Sequence, residues 1–477
     1  LSGVAAILAL FVSEWTIAML VGLLGDTSLT QSLMMRPDAG VFAFTAALSL
    51  LTGLFFGLAP AIQAWGSDVA TTLKETGTAV AGSSKARLRT SLVIGQIALS
   101  SVLLVGAGLF TRSLANILST GPGFRTERLL LFSVDPALNG YSVERGRGFY
   151  RDLLERIGGI SGVRGVGGAN IAPLENSDAV SNITVEGYQA REDESTDTHS
   201  NVVTPGYFQT MGIPVLLGRE FTASDEANSK LVAVVNESFV KSFCGGKDPI
   251  GRHLALGQGD KSKPNIEIVG VVQDARQTSM REPARRYFFL PYTQQKNLVS
   301  LTFVVRTTRD ENAFASDVRK LVAQQDPALP VFNLRSMQVQ LENSIATDRI
   351  IAWLAASFGV LATVLAAIGL YGVLAYMVVR RTAELGIRIA LGAASAHVLR
   401  IVLNRVALLA VVGMAIGVAA AFLLGRYVES QLYGMNARDP MVYLGAVVVL
   451  GLVSLAAGLI PARRAMRIDP IQALRHE

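Results

Sequence analysis

Apolar residues in this chain fall in long unbroken runs rather than in short periodic ones. Six runs are nearly free of charge: Leu1–Leu24, Val41–Trp65, Ser91–Leu114, Ile350–Val379, Val406–Gly425 and Val442–Ile460. A bilayer core about 30 Å thick needs roughly 20 apolar helical residues, so each run predicts a membrane span. Length and charge exclusion recur together, which argues against a bundle of buried soluble helices. The first run has no basic n-region, carries Glu14 and lacks a small-residue cleavage site, so it does not read as a signal peptide. Because the chain starts at Leu1 rather than Met, it is read as a piece of a longer one. Glu14 is an intramembrane carboxylate, either functional or facing another helix near the end of a span.

The segment 115–348 has another pattern and is too long for a loop. Strands are predicted at Leu129–Val134 and Val163–Ile171 around a helix at Val143–Ile157. The same order returns at Leu301–Thr307, Ala313–Gln325 and Val331–Leu334. Between these β-α-β units, an insert at about 178–296 reads mostly as strands: Asn182–Glu186, Val215–Leu217, Leu231–Val235, Ile266–Val272 and Tyr287–Leu290. Gly, Pro, Asp and Ser separate them.

Composition agrees, with 50% hydrophobic and 17% charged residues and a mean hydropathy of +0.40. The net charge is +6 and the pI about 9.4, but placement matters more than the total. Lys74, Lys85, Arg87 and Arg89 follow the second run, five Arg lie in Arg380–Arg405, and Arg463, Arg464, Arg467 and Arg475 follow the sixth. Basic residues near span ends mark the cytoplasmic side, which puts 115–348 outside. The basic excess is a topology signal and makes no case for nucleic acid. The expected fold class is an α-helical integral membrane protein with a large α+β extracytoplasmic domain. Two membrane-proximal β-α-β units flank its β-rich insert.

Between the fourth and fifth runs lies the charged stretch RRTAELGIRIALGAASAHVLRIVLNR, Arg380–Arg405, with five Arg and one Glu. Glu384 and Arg388 stand at i,i+4 with the acid first, the favourable helical order. Leu385, Ile387, Ile389 and Leu391 give a short apolar face. Gly392 breaks this helix and Ser395 is placed to N-cap the next. A short amphipathic helix between two spans is suited to press on something at the membrane surface.

The two ends of the chain repeat one another. GLAPAIQAWGSDVATTLKE from Gly57 aligns without gaps on GLIPARRAMRIDPIQALRHE from Gly458, matching Pro60 with Pro461, Asp68 with Asp469 and Leu73 with Leu474. Residues 1–80 are therefore read as the last two spans and tail of a first, truncated unit, and 85–477 as a second. In the second, 85–114 is the first span, 115–348 the outer domain and 349–477 a three-span unit containing the segment 380–405. Gly53 and Gly57, with Ser454 and Gly458 at the repeat positions, are spaced for close helix packing. Gln96, Ser100 and Ser101 give the third run a polar stripe, read as helix–helix hydrogen bonding or, more sharply, a substrate path.

Catalytic constellations are missing from the sequence. It holds no G-x-x-x-x-G-K-[ST] loop, no H-E-x-x-H, no second Cys for zinc and no G-x-S-x-G elbow. No catalytic, cofactor-binding or metal-ligating residue is therefore expected. Gly245-Gly246-Lys247 has the wrong spacing for a phosphate loop and reads as a turn. Gly165–Gly168 lacks the full dinucleotide fingerprint. Cys244, the one cysteine, reads as a small, partly buried residue.

One span, a large outer domain and three further spans together resemble the MacB/FtsX-like permeases of ABC transporters, the type VII mechanotransmission class. RRTAELGIRIALGAASAHVLRIVL is similar to that family's inner coupling segment, and GLIPARRAMRIDPIQALRHE to its C-terminal signature. VTPGYFQTMGIPVLLGREFTASD, VAVVNESFVKSFCGGKDPIGRHL and IEIVGVVQDARQ resemble its periplasmic domain. The duplication resembles the duplicated permeases frequent in Acidobacteria. The resemblance implies a bacterial inner-membrane permease subunit that passes ATP-driven motion of a separate cytoplasmic ATPase to a periplasmic domain for export. ATP would be bound by that ATPase, with no cofactor in this chain, and Glu384, Leu385, Ile387, Arg388, Ile389 and Leu391 would be the coupling residues. Implied partners are the ATPase, membrane lipid, a second permease unit in the same longer chain or as a dimer, and a periplasmic adaptor or outer-membrane channel. The alternative is a non-transporting transmembrane regulator of an extracytoplasmic enzyme or partner.

Overall fold

The computed structural model describes residues 82–189, 195–257, 263–297, 300–380 and 395–465, with nine isolated positions between 40 and 54. The chain divides into two compact units, Ile117–Ala346 and the remainder. Residues 1–80 fall almost wholly outside the described residues, as do Gly53, Gly57, Glu14 and the whole proposed coupling helix from Glu384 to Leu391.

The outer unit is built on strands β1 (Leu129–Val134), β2 (Val163–Ala169), β3 (Ala179–Val185), β4 (Asp197–Val203), β5 (Val215–Gly218), β6 (Val232–Asn236), β7 (His253–Leu256), β8 (Ile266–Val272), β9 (Tyr287–Pro291), β10 (Leu301–Thr307) and β11 (Phe332–Ser336). Helix α1 (Gly82–Ser119) precedes them. Helices α2 (Val143–Gly158), α3 (Tyr207–Met211), α4 (Glu237–Cys244), α5 (Glu311–Gln325) and α6 (Met337–Ser344) lie among and after them.

Both β-α-β units are present, and they interleave. The strand order is β11-β1-β10-β2, all antiparallel, so the two strands of each unit are separated by a strand of the other. This is the split β-α-β arrangement. Helices α2 and α5 cover one face, where Phe132, Tyr150, Leu153, Phe303, Phe314 and Val318 form a core. Phe132 and Phe303 sit directly opposite across β1 and β10, with rings stacked at 5.0 Å. Such a pair adds a specific contact to burial and pins the register.

The insert closes on itself. Strands β4-β3-β7-β8-β6-β9 pair in sequence and β9 returns to β4, giving a ring of six strands. Closure leaves these six without a free edge. Buried Asn236 locks it, with both its acceptor and its donor sites in use. Its Oδ1 accepts from the Phe239 and Tyr287 amides, and its Nδ2 donates to Asp274 and to the Arg285 carbonyl. Cys244 ends α4, buried in the insert's core. That burial pushes the thiol pKa up, which keeps it protonated and unreactive at neutral pH. Gly245 and Gly246 follow with φ of 59° and 75°, so the turn needs residues without a Cβ.

The glycines of β2 have a packing purpose. A Cβ on Gly167 would stand 2.6 Å from Tyr207 Cα, and one on Gly165 would stand 2.9 Å from Thr210 Oγ1. The backbone of α3 thus lies directly on the sheet. Gly167→Ala is expected to destabilise the outer unit by about 1–3 kcal/mol, the usual cost of overpacking. A Cβ on Gly148 of α2 meets nothing within 4 Å. Gly148→Ala should therefore leave the full chain's melting temperature unchanged or raise it. Equal melting of the Gly167 variant and wild type would show that α3 is not seated this closely.

Candidate functional site: the transmembrane helices and the segment they border

Among the described residues, four helices are long and apolar enough to cross a membrane, over Arg89–Ser119, Ala346–Val379, Leu403–Gln431 and Pro440–Arg463. They belong to α1, α7 (Ala346–Arg380), α8 (Ser395–Val428) and α9 (Pro440–Ala465). The proposed coupling residues lie between the end of α7 at Arg380 and the start of α8 at Ser395, outside the described residues.

Helix α1 touches the other three through small residues. On α8, a Cβ at Gly413 would lie 2.7 Å from Ile97 Cβ, and one at Gly417 would meet the Ala98 carbonyl oxygen and stand 2.5 Å from Ser101 Cβ. On α7, Gly359 faces Ala107 at 3.2 Å, and Gly369 admits the Gln96 side chain. Towards α9, a Cβ on Gly108 would lie 2.7 Å from Val442 Cγ1. Lipid gives no hydrophobic drive for helices to associate, so close backbone approach and polar contacts must supply the affinity.

The polar stripe of α1 is consumed in these contacts. Ser100 Oγ lies 2.8 Å from two carbonyl oxygens, Gln96 O of its own helix and Ala362 O of α7. Ser101 Oγ donates to Ile97 O at 2.9 Å. Ser100 and Ser101 are 1% and 2% exposed, so neither lines an open path. At one end of the bundle, Arg112 pairs with Asp439 at 3.0 Å, and Asp439 also accepts from the Met441 amide and so caps α9. At α1's other end, Arg89 lies over the Tyr376 ring of α7 at 4.3 Å.

Of the positions singled out for packing, Ser454 is buried, and a Cβ on Gly458 would lie 2.8 Å from Val406 Cγ2 of α8. Gly413 and Gly417, which make tighter contacts, were not singled out from the sequence. Their G-x-x-x-G spacing is the signal that identifies them. Among the described residues no three His, Cys, Asp or Glu side chains converge as a metal ion would require.

Gly417→Leu and Gly458→Leu should each lower the folded yield in detergent and the melting temperature. Gly451 has nothing within 4 Å of an added Cβ, so Gly451→Leu should match wild type. Three variants behaving alike in size-exclusion and melting assays would mean that these glycines do not set helix spacing.

Two family models divide this architecture between them. Residues 90–321 match the MacB-like periplasmic core domain, and residues 356–470 match the FtsX-like permease C-terminal domain. The macrolide export ATP-binding/permease protein MacB of Marinobacter nauticus is 25% identical over 273 residues, 55% of this chain and 41% of that protein. The protein of the same name from Chromobacterium violaceum is 25% identical over 411 residues, 82% of this chain and 59% of that protein. This chain thus spans 41% to 59% of the length of these two relatives. The solved periplasmic region of MacB from Actinobacillus actinomycetemcomitans is 14% identical, with a TM-score of 0.30, covering 46% of this chain and 94% of that one. With the first model over α1 and the outer unit and the second over the three later spans, this membrane protein with an extracytoplasmic domain belongs to the MacB/FtsX-like family of ABC transporter permeases.

Proposed function

We propose that this chain transmits ATP-driven motion across a bacterial inner membrane, serving export. The observation that supports the reading is that α7 and α8, which border the coupling segment, both pack on α1 at backbone distance. Packed helices shift against one another as bodies, by about 1–2 Å, rather than deform. A push on the segment between α7 and α8 would then reach α1, whose C-terminal end feeds the outer domain. Each of the two bordering helices exceeds the bilayer core. At 1.5 Å per residue, the 35 residues of α7 extend about 50 Å.

A separate cytoplasmic ATPase supplies the energy in this reading. The relatives are named for ATP binding and permease function together, and this chain spans 41% to 59% of their length. In this reading ATP is bound by the partner, with no cofactor in this chain. Its binding shifts a two-state equilibrium only if the coupling helix docks differently in each state. A second permease unit, from the same longer chain or as a dimer, would complete the assembly. Export beyond an outer membrane would also engage a periplasmic adaptor and an outer-membrane channel.

In this reading the coupling segment would offer Leu385, Ile387, Ile389 and Leu391 for docking and the i,i+4 residues Glu384 and Arg388 for register. An exposed pair contributes only about 0–1 kcal/mol, so the apolar face should dominate affinity. Leu385→Asp is expected to lose co-purification with the ATPase and its control of ATP turnover. Glu384→Ala should weaken both only in part. Normal co-purification and turnover for Leu385→Asp would remove the segment from the mechanism.

Orientation has its own test. In a Cys244→Ala background, cysteines at Lys85 and Ser395 should resist an impermeant thiol reagent in intact cells, and one at Asp260 should react. The reverse labelling pattern would place the coupling segment on the wrong side for an ATPase.

A further inference from the structure

The outer unit carries an arginine-lined groove that neither the packing nor the proposed coupling uses. It has a volume of about 550 Å³ and is lined by Arg125, Arg128, Arg164, Arg306, Glu127 and Thr308, among others. Four arginines thus line it beside one acidic residue, Glu127.

The four arginines differ in what they do. Arg306 of β10 is committed to the backbone: its Nε donates to Thr210 O, Nη1 to Glu127 O and Nη2 to Arg125 O. It therefore clamps the linker 120–128 against α3. Arg125, Arg128 and Arg164 are exposed and have no ion pair or side-chain hydrogen bond among the described residues. Elsewhere in the unit Arg219, Arg285 and Arg309 each hold a carboxylate. Burial first, and then the neighbouring Arg125, push the Arg306 pKa down, with Glu127 opposing. An anion would offset the charge of the three arginines that hold no carboxylate, and forked guanidinium groups suit the oxygens of a phosphate.

The position selects the kind of phosphate. Helix α1 ends at Ser119, and Leu118 in its last turn is 55% exposed, an apolar side chain suited to lipid. Only residues 120–124 separate that helix end from Arg125, a tether of at most about 20 Å. Arg276 and Met211 hold this tether through backbone hydrogen bonds to Pro122 and Arg125, so the groove follows the helix end closely along the chain. The headgroup layer begins where the span's apolar face stops.

We propose that this groove binds the phosphate headgroup of an anionic phospholipid at the outer surface of the membrane. Arg125, Arg128 and Arg164 contact the phosphate, and Arg306 holds the frame. The site would anchor the first strand of the outer unit to the bilayer, whether or not the chain transports anything.

The test uses the full chain in an uncharged detergent, titrated with dioctanoylphosphatidylglycerol. Affinity is read from the lipid-dependent rise in melting temperature. Arg125→Gln, Arg128→Gln and Arg164→Gln should each weaken binding about fivefold, the effect expected of one basic side chain near an anionic bilayer surface. The triple variant should lose about a hundredfold on the same scale. Arg145→Gln, on α2 over the Tyr141 ring, should change nothing. Dioctanoylphosphatidylcholine should bind at least about tenfold more weakly, because its headgroup carries no net charge to attract the cluster. Wild-type affinity in the triple variant would overturn the proposal, and the single variants carry the test if the triple variant is less stable without lipid. Inorganic phosphate that competes as well as the lipid would overturn it too, making the groove a free-anion site. Equal affinity for phosphatidylcholine would show that headgroup charge is not read.

Discussion

The membrane unit depends on the close approach of α1 to α7 and α8, with α9 packed on α8. Apolar side chains gain little by leaving lipid for one another, so a bundle built on bulk alone would have no preferred spacing. Gly413 and Gly417 remove the side chains that would hold α8 away from Ile97, Ala98 and Ser101. Once the helices are that close, Ser100 can reach the Ala362 carbonyl of α7. Close approach and hydrogen bonding thus depend on each other, and both centre on the helix that leads into the outer domain.

The outer unit meets a different constraint. Its chain leaves the split β-α-β sheet after β2, forms a barrel-like ring joined to β2 through β4, and returns as β10 between β1 and β2. The sheet is completed only when the insert's two ends come together. The β2 glycines and the Arg306 clamp meet this demand, seating α3 and the incoming linker against β2 and β10. The same clamp leaves Arg125, Arg128 and Arg164 exposed around one groove.

Much of this was legible in the sequence, and for identifiable reasons. Strands β1 and β10 coincide with the expected Leu129–Val134 and Leu301–Thr307, because both are compact apolar strips bounded by polar residues. The four described spans were legible from length and charge exclusion alone. Strand β4 was not, because DTHSNVV has no apolar alternation. It is held by neighbours on both edges, by Asn201 bonding the backbone of Ile171, and by the His199–Asp178 contact at 2.6 Å. Helix α4 is eight residues and α3 five, too short for a helical period to register. The interleaving of the β-α-β units depends on pairing between residues some 170 positions apart, as for Phe132 and Phe303, which no local pattern encodes.

Within the transmembrane site, the polar stripe on α1 was legible and its use as interhelical hydrogen bonding was one of the two readings. The contact between Gly458 and Val406 follows from small-residue spacing, whereas Gly359 and Gly369 act singly and carry no spacing signal. The central claim is that α1 and α8 move relative to one another when the partner ATPase binds ATP. The most direct test is the distance between spin labels at Leu92 on α1 and Leu408 on α8, both exposed apolar positions, in the assembled complex with and without ATP. The account predicts that ATP displaces the distance distribution by at least about 1–2 Å, the usual scale of helix shifts in such transitions. Superimposable distributions in a complex that turns over ATP would contradict it.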